Sequence, residues 1–235
     1  PIPMTRKTSL IAAAVAVALG GSSFAAAAQQ AGSAANTLDT VIVTGTRVAD
    51  RTVAESQSPI DIITPEILQS TGTGELATAL SRALPSLNFP RPALTDGTSG
   101  VRPAQLRGLS PDQVLVLVNG KRQHTSAMIN VNGSIGRGAS AVDINAIPIA
   151  AIERVEVLRD GASAQYGSDA IAGVINIVLK GSGSGGSLAV DYGQYSAGDG
   201  NKYQLSGDTG VEFGNGRGRV HVAGQISQQD ESNRA

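Results

Sequence analysis

Residues 187–228 alternate between apolar and polar with a period of two. Leu188, Val190 and Tyr192 alternate with Ala189, Asp191 and Gly193. Tyr203, Leu205, Thr209, Val211 and Phe213 alternate with Gln204, Ser206, Asp208 and Glu212, and Val220, Val222 and Ile226 with His221, Ala223, Gln225 and Ser227. The interruptions, 196–201 and 214–218, are rich in turn-forming residues. The segment therefore predicts three antiparallel strands of about ten residues, each with one apolar and one polar face. Two architectures use such strands. A soluble meander turns the apolar face onto a core, and a transmembrane β-barrel turns it onto lipid. A barrel needs at least about 8 strands, and an open edge in lipid leaves backbone groups unsatisfied at several kcal/mol each. On the barrel reading, the expectation is that the sequence is an N-terminal fragment of a longer protein.

The other end of the sequence explains how such strands would reach a membrane. Arg6 and Lys7 precede an apolar run from Leu10 to Leu19, and a small-residue stretch ends at Ala26-Ala27-Ala28. That order of parts predicts a secretory signal peptide over 1–28, with an apolar run too short for a membrane-spanning helix. The alternative is a buried helix of a cytosolic domain. Pro1 at the start suggests a fragmentary or mis-started reading frame. The sequence has no cysteine, which excludes a disulfide framework, a thiolate metal site and a cysteine nucleophile. A net charge of −1 gives no electrostatic reason to expect a nucleic-acid partner.

Between these ends, residues 29–51 read as a flexible linker interrupted by one isolated strand-forming run, Asp39 to Gly45. A lone strand adds either to a sheet of its own chain or to that of another protein. From Ser58 the pattern becomes globular. Pro59 to Ile63 predicts a short strand, and Thr64-Pro65-Glu66 a helix start with Thr64 as its N-cap. A second helix is expected from Gly74 to Leu84, with Leu76, Leu80 and Leu84 at helical spacing. Val114 to Val118 predicts a strand buried on both faces. Ile152 to Leu158 predicts another, although Ile152 is out of phase with Val155 and Val157. A short helix from Ala162 to Tyr166 and a closing strand from Gly173 to Lys180 complete the domain. The fold class is thus an α+β domain, with a small mixed sheet, short helices and long loops at 85–104 and 121–141, followed by the first antiparallel strands of a barrel. Loops of that length are uncommon unless they serve a function.

These parts, in this order, resemble the TonB-dependent outer-membrane receptors over residues 38–228. LDTVIVTGTR (Leu38–Arg47) resembles the TonB box. LRG (Leu106–Gly108), VLVLVNG (Val114–Gly120) and IERVEVLRDGASAQYGSDAIAGVINIVLK (Ile152–Lys180) resemble the main blocks of the plug domain. In that family a barrel of about 22 strands encloses the plug. The resemblance implies a plug over 52–180 and the first staves of the barrel over 181–235. The tail after Glu231 lacks the terminal aromatic such barrels usually carry, in keeping with a fragment.

The resemblance also implies a function: active import of a scarce ligand, such as a ferric siderophore, across the Gram-negative outer membrane, with plug and TonB box on the periplasmic side. The implied partners are TonB, with ExbB/ExbD, the ligand and outer-membrane lipid, with no cofactor and no metal site. Asp39, Thr40, Val41, Ile42, Val43, Thr44 and Gly45 would bind TonB by strand addition. Arg107 and Arg159 would pair with carboxylates of the barrel, where the alternative is a solvated strand-end charge. Arg91, Arg102, Arg122, His124 and Arg137 give the long loops a basic character suited to an anionic ligand. A free-standing periplasmic binding module with a plug-like fold is the alternative; it leaves residues 187–228 unexplained. An enzyme is not expected. The turn after Val155–Leu158 lacks both GxGxxG and GxxxxGK[ST], and two histidines offer little acid–base machinery.

Overall fold

The computed structural model describes residues 44–45, 52–56, 58–90, 100–129, 136–160, 162–181, 185–196, 198–215 and 217–231. The predicted signal segment, the linker around residues 29–43 and Arg91 lie outside the described residues. Strand β1 (Ile60–Ile63) leads into helix α1 (Pro65–Ser70). Pro65 opens α1 as expected, but Thr64, although extended, makes no side-chain cap hydrogen bond. Its side chain instead hydrogen-bonds Glu66 and, as the largest cause, holds that carboxyl below its ordinary range.

Helix α2 (Leu76–Ala83) turns Leu76, Ala77, Ala79 and Leu80 into the core and ends before Pro85. The following long loop carries β2 (Leu87–Asn88) and, beyond it, β3 (Gln105–Leu106), which pair antiparallel. Then come β4 (Val114–Val118), β5 (Lys121–Arg122), β6 (Ile152–Leu158), the single turn α3 (Ser163–Tyr166) and β7 (Gly173–Leu179). These strands form one mixed sheet in the order β1-β6-β7-β4-β5, in which only the β4–β7 pair is parallel.

The sheet is buried on both faces, which is why β4 reads as an unbroken apolar run and β7 as one interrupted by Asn176. Val114, Val116, Val155, Val157, Ile175 and Ile177 pack with Leu68, Leu76, Leu80 and Ile144 on one face. Leu115, Leu117, Leu158 and Val174 pack with Ile60, Ala162 and Ala170 on the other. A register shift between Ile152 and Arg154 explains the phase change in β6: it lets Ile152 share the first face with Val155 and Val157.

Past Lys180 the chain forms a separate antiparallel sheet of β8 (Gly185–Gly193), β9 (Lys202–Phe213) and β10 (Gly218–Gln229). Its amphipathicity is inverted relative to a soluble sheet. Val190 is 76% exposed and Ile226 73%, whereas Gln204 is 6% and Ser206 9% exposed. Register lines the apolar side chains up across the strands, as in the row Val190–Leu205–Ile226. Tyr192 and Tyr203 face each other near one end with ring centroids 5.2 Å apart, and Phe213 stands at the other end of β9. Ten steps at about 3.4 Å, tilted by about 40°, put roughly 26 Å between those aromatic levels, the height of an outer-membrane apolar band.

Candidate functional site

The polar face of the three-strand sheet meets the mixed sheet's domain. Asp208 on β9 sits at the centre of this contact. It accepts from Lys180 Nζ at 2.9 Å, lies 3.0 Å from His221 Nε2, and also accepts from the Ser187 hydroxyl. One carboxylate thereby joins β8, β9 and β10 to the end of β7. Gln225 Nε2 donates to the Gly74 carbonyl at 3.1 Å. Beside it lies a polar cavity of about 320 Å³ lined by Glu75, Arg102, Asn145, Lys202, Gln204 and Gln225 among others. Glu75 organises its wall, taking Arg102 Nε at 2.8 Å and Asn145 Nδ2 at 3.0 Å.

The predicted site residues separate into distinct places. Arg102 is held in the cavity wall, not in a free loop. Arg122 pairs with Asp169 and donates to the Tyr166 carbonyl, which ties the β4–β5 hairpin to α3. His124 and Arg137 are exposed on the loops. Arg159 pairs with Asp61 of β1 at 2.7 Å, and Arg107, in a left-handed backbone conformation, donates to the Ala172 carbonyl at 2.9 Å. Of the predicted partner-binding run, Asp39, Thr40, Val41, Ile42 and Val43 lie outside the described residues, and Thr44 and Gly45 lie within them.

Thr44 is buried against the second face of the mixed sheet. Its backbone N–H and its hydroxyl both donate to Glu156 Oε2, at 2.9 and 2.5 Å. The same hydroxyl accepts from Asn176 Nδ2 at 3.0 Å. The Gly45 N–H donates to the Tyr166 hydroxyl at 3.0 Å. Glu156 and Asn176 are directly opposed on β6 and β7. Arg154 Nε donates to the other oxygen of Glu156 at 2.9 Å, and Asn176 Oδ1 accepts from the Gly120 N–H at 3.0 Å. Sequence reasoning placed Glu156 among the charged residues of its strand, yet it is 0% exposed. Among the described residues no group of three or more His, Asp or Glu side chains converges as a metal site.

A family model described as the TonB-dependent receptor plug domain matches residues 52–174. The chain belongs to this family. The fold class read from the sequence, a plug followed by the start of a barrel, is that of the receptors it resembles. The vitamin B12 transporter BtuB of Vibrio vulnificus is 31% identical over 83% of this chain and 28% of its own length. A probable TonB-dependent siderophore receptor, PirA of Acinetobacter baumannii, is 33% identical over 61% of the chain and 18% of its own. Among solved structures, a mutant of the ferric enterobactin receptor PfeA from Pseudomonas aeruginosa, in complex with enterobactin, superposes with a TM-score of 0.57 at 27% identity. That match covers 74% of this chain and 25% of the receptor. The plug-bearing chain thus spans between about a fifth and three-tenths of the length of these relatives.

Proposed function

We propose that this chain is the plug-bearing part of a receptor that imports a scarce ligand across the Gram-negative outer membrane, driven by TonB. In this reading 1–28 directs export and 29–51 is a periplasmic linker with the TonB box at 39–45. Residues 52–180 are the plug, and 181–235 begin the barrel wall. The observation that carries the reading is the inverted sheet: its polar face meets the plug through Asp208 and Gln225, and its apolar face is exposed. A soluble module would need the opposite arrangement, because a water-facing apolar sheet face gains nothing from folding. β8 and β10 are the edges of this sheet, and an edge in lipid has to be paired, so the reading requires further strands beside them.

The ligand class rests on the relatives, whose names concern vitamin B12 and siderophores. Arg122, His124 and Arg137, on or beside the long loops, are compatible with an anionic ligand, and a ferric siderophore is the first to test. Arg107 and Arg159 are proposed to face barrel carboxylates in the assembled receptor, with Arg159 exchanging or sharing Asp61. Uptake is driven by a partner strand adding to Thr40–Thr44, with ExbB/ExbD energising TonB.

The test is uptake of labelled ferric siderophore and of cobalamin by cells carrying the receptor, with and without TonB. Val43→Pro removes a backbone donor and fixes φ. The expected result is abolished uptake with ligand binding retained. Undiminished uptake by that variant refutes the TonB-box assignment, and TonB-independent uptake refutes the mechanism.

A further inference from the structure

The polar cavity between the plug and the three-strand sheet gathers side chains whose polar groups are unused. Its volume of about 320 Å³ lies at the small end of the range for ligand sites, about 300–1,000 Å³. Register builds one wall: on the polar face of β9 and β10, Lys202 stands opposite Gln229 and Gln204 opposite Ser227. Gln204 is 6% exposed, yet its amide has no hydrogen-bond partner among the described residues. Gln225 uses Nε2 on the Gly74 carbonyl and leaves a buried Oε1 without a donor. Lys202 is half-buried and has no carboxylate partner among the described residues. Buried polar groups are normally paired, because each unpaired one has given up its hydration for nothing. The opposite wall is complete in itself. Glu75 Oε1 accepts from Arg102 Nε and Asn145 Nδ2, and Oε2 accepts from the Thr78 hydroxyl. Glu75 and Arg102 cancel, so the lining keeps one net positive charge, on Lys202.

We propose that this cavity binds a small polyhydroxylated monocarboxylate, a compound of the sugar-acid type. One carboxylate matches the one uncompensated ammonium. A hydroxyl both donates and accepts, so a chain of hydroxyls satisfies the Gln204 amide and the orphan Gln225 oxygen together. A neutral sugar would leave Lys202 unpaired, and a bare carboxylate would leave the amides unpaired. The lining holds no aromatic and no large apolar side chain, so the site discriminates by hydrogen bonds and charge, where a missing partner is costly. Gly74 belongs to the site as well. A Cβ at this position would collide with the Gln204 amide, so a residue without one is needed for the amide to stand where it does. Arg122, His124 and Arg137 do not line the cavity, so this site is separate from the loop cations and independent of the ligand proposed for them.

Calorimetric titration of the full chain with D-gluconate, in a detergent that covers the apolar face of the three-strand sheet, tests the site without TonB or any other partner. Gluconate is expected to bind. Glucose and acetate, which each lack one half of the match, are expected to bind at least about tenfold more weakly, the loss of one hydrogen bond to a charged group. Lys202→Met keeps the apolar stem and removes the charge. It should weaken gluconate about ten- to hundredfold and leave glucose unchanged. Lys121→Met removes an exposed charge outside the cavity and should bind gluconate as the parent does. Gly74→Ala displaces the Gln204 amide at a position that has no left-handed backbone, and should weaken gluconate and glucose alike. Far-UV circular dichroism matching the parent separates these losses from loss of fold. No binding of gluconate by the parent means that the cavity holds water only, and overturns the proposal. Parent-like gluconate binding by Lys202→Met, or acetate binding as tightly as gluconate, overturns it too.

Discussion

Gly173 is where the plug sheet is least tolerant of a side chain, and the cost of adding one can be worked out. The residue opens β7 with φ +145°, a conformation that residues with a Cβ rarely adopt. A Cβ placed there would meet the Leu158 carbonyl oxygen and the Leu106 side chain inside contact distance. Leu158 pairs with Val174 across the β6–β7 ladder, so relief requires the two central strands to part at that end. Backbone strain at such a position costs about 1–3 kcal/mol, and each ladder hydrogen bond lost adds about 0.5–1.5 kcal/mol. Gly173→Ala should therefore destabilise the chain by about 2–5 kcal/mol, a large part of the roughly 5–15 kcal/mol typical of a domain. Gly120→Ala is the control. Gly120 has φ +75°, and a methyl group added there would meet nothing within 4 Å, so only the left-handed penalty of about 1–2 kcal/mol applies. Urea unfolding of both variants, followed by far-UV circular dichroism with the slope held common, measures the difference. Equal destabilisation by the two variants would refute the collision argument, since strain at the glycine would then account for everything.

Two further outcomes follow from the same structure. In the assembled receptor, Val211→Arg on the apolar face of β9 should lower the heat-modifiable, folded fraction in membranes, while Ser206→Arg on the plug side should leave insertion intact and loosen the plug. A charge near the bilayer midplane costs about 2–4 kcal/mol and less towards the interface, so Thr209→Arg, closer to the middle of the band, should be worse than Val211→Arg; the reverse order would count against the assigned depth. For pH, the folded Glu66 carboxyl titrates below its ordinary range, chiefly through its hydrogen bond with the Thr64 side chain. A depressed carboxylate contributes stability that is complete above its unfolded value and is lost as pH falls through its folded value. Glu66→Gln should therefore lower stability at neutral pH by the small part Glu66 contributes, leave stability below its folded value unchanged, and so flatten the acid limb of the profile, as measured by thermal unfolding from neutral into acid pH.

Much of this architecture is written locally. The apolar runs at Val114–Val118 and Gly173–Leu179 are strands because both faces of the sheet are covered, and the leucines at 76 and 80 place one side of α2 in the core. The three later strands follow from alternation, and their register sets the apolar rows that the sequence already spaces out. Which way those rows face is a tertiary fact, decided by where Asp208 and Gln225 find partners. Ile152 looked out of step because a bulge, which leaves no residue signature, shifts the phase of β6.

The candidate site was less legible for a related reason. Glu156 looks like a solvated strand charge in IERVEVL, and its burial depends on Thr44, separated from it by 112 positions. Asn176, a polar residue in an otherwise apolar strand, was the one local signal, since a buried amide needs partners. Arg102 looked like a loop cation because its partner Glu75 belongs to the start of a helix 27 positions earlier.

The exposed apolar rows of β8, β9 and β10 also bear on how such a chain survives before it reaches its destination. On the proposed receptor reading, those rows and the open backbone of β8 and β10 form an adhesive surface while the chain crosses the aqueous periplasm. The plug buries its own core and needs no bilayer to do so, whereas on that reading the sheet gains its stability only once its apolar face meets lipid. On that reading the chain is ready to fold at one end and exposed to aggregation at the other, so its yield in the membrane is set by how well the second half is shielded in transit.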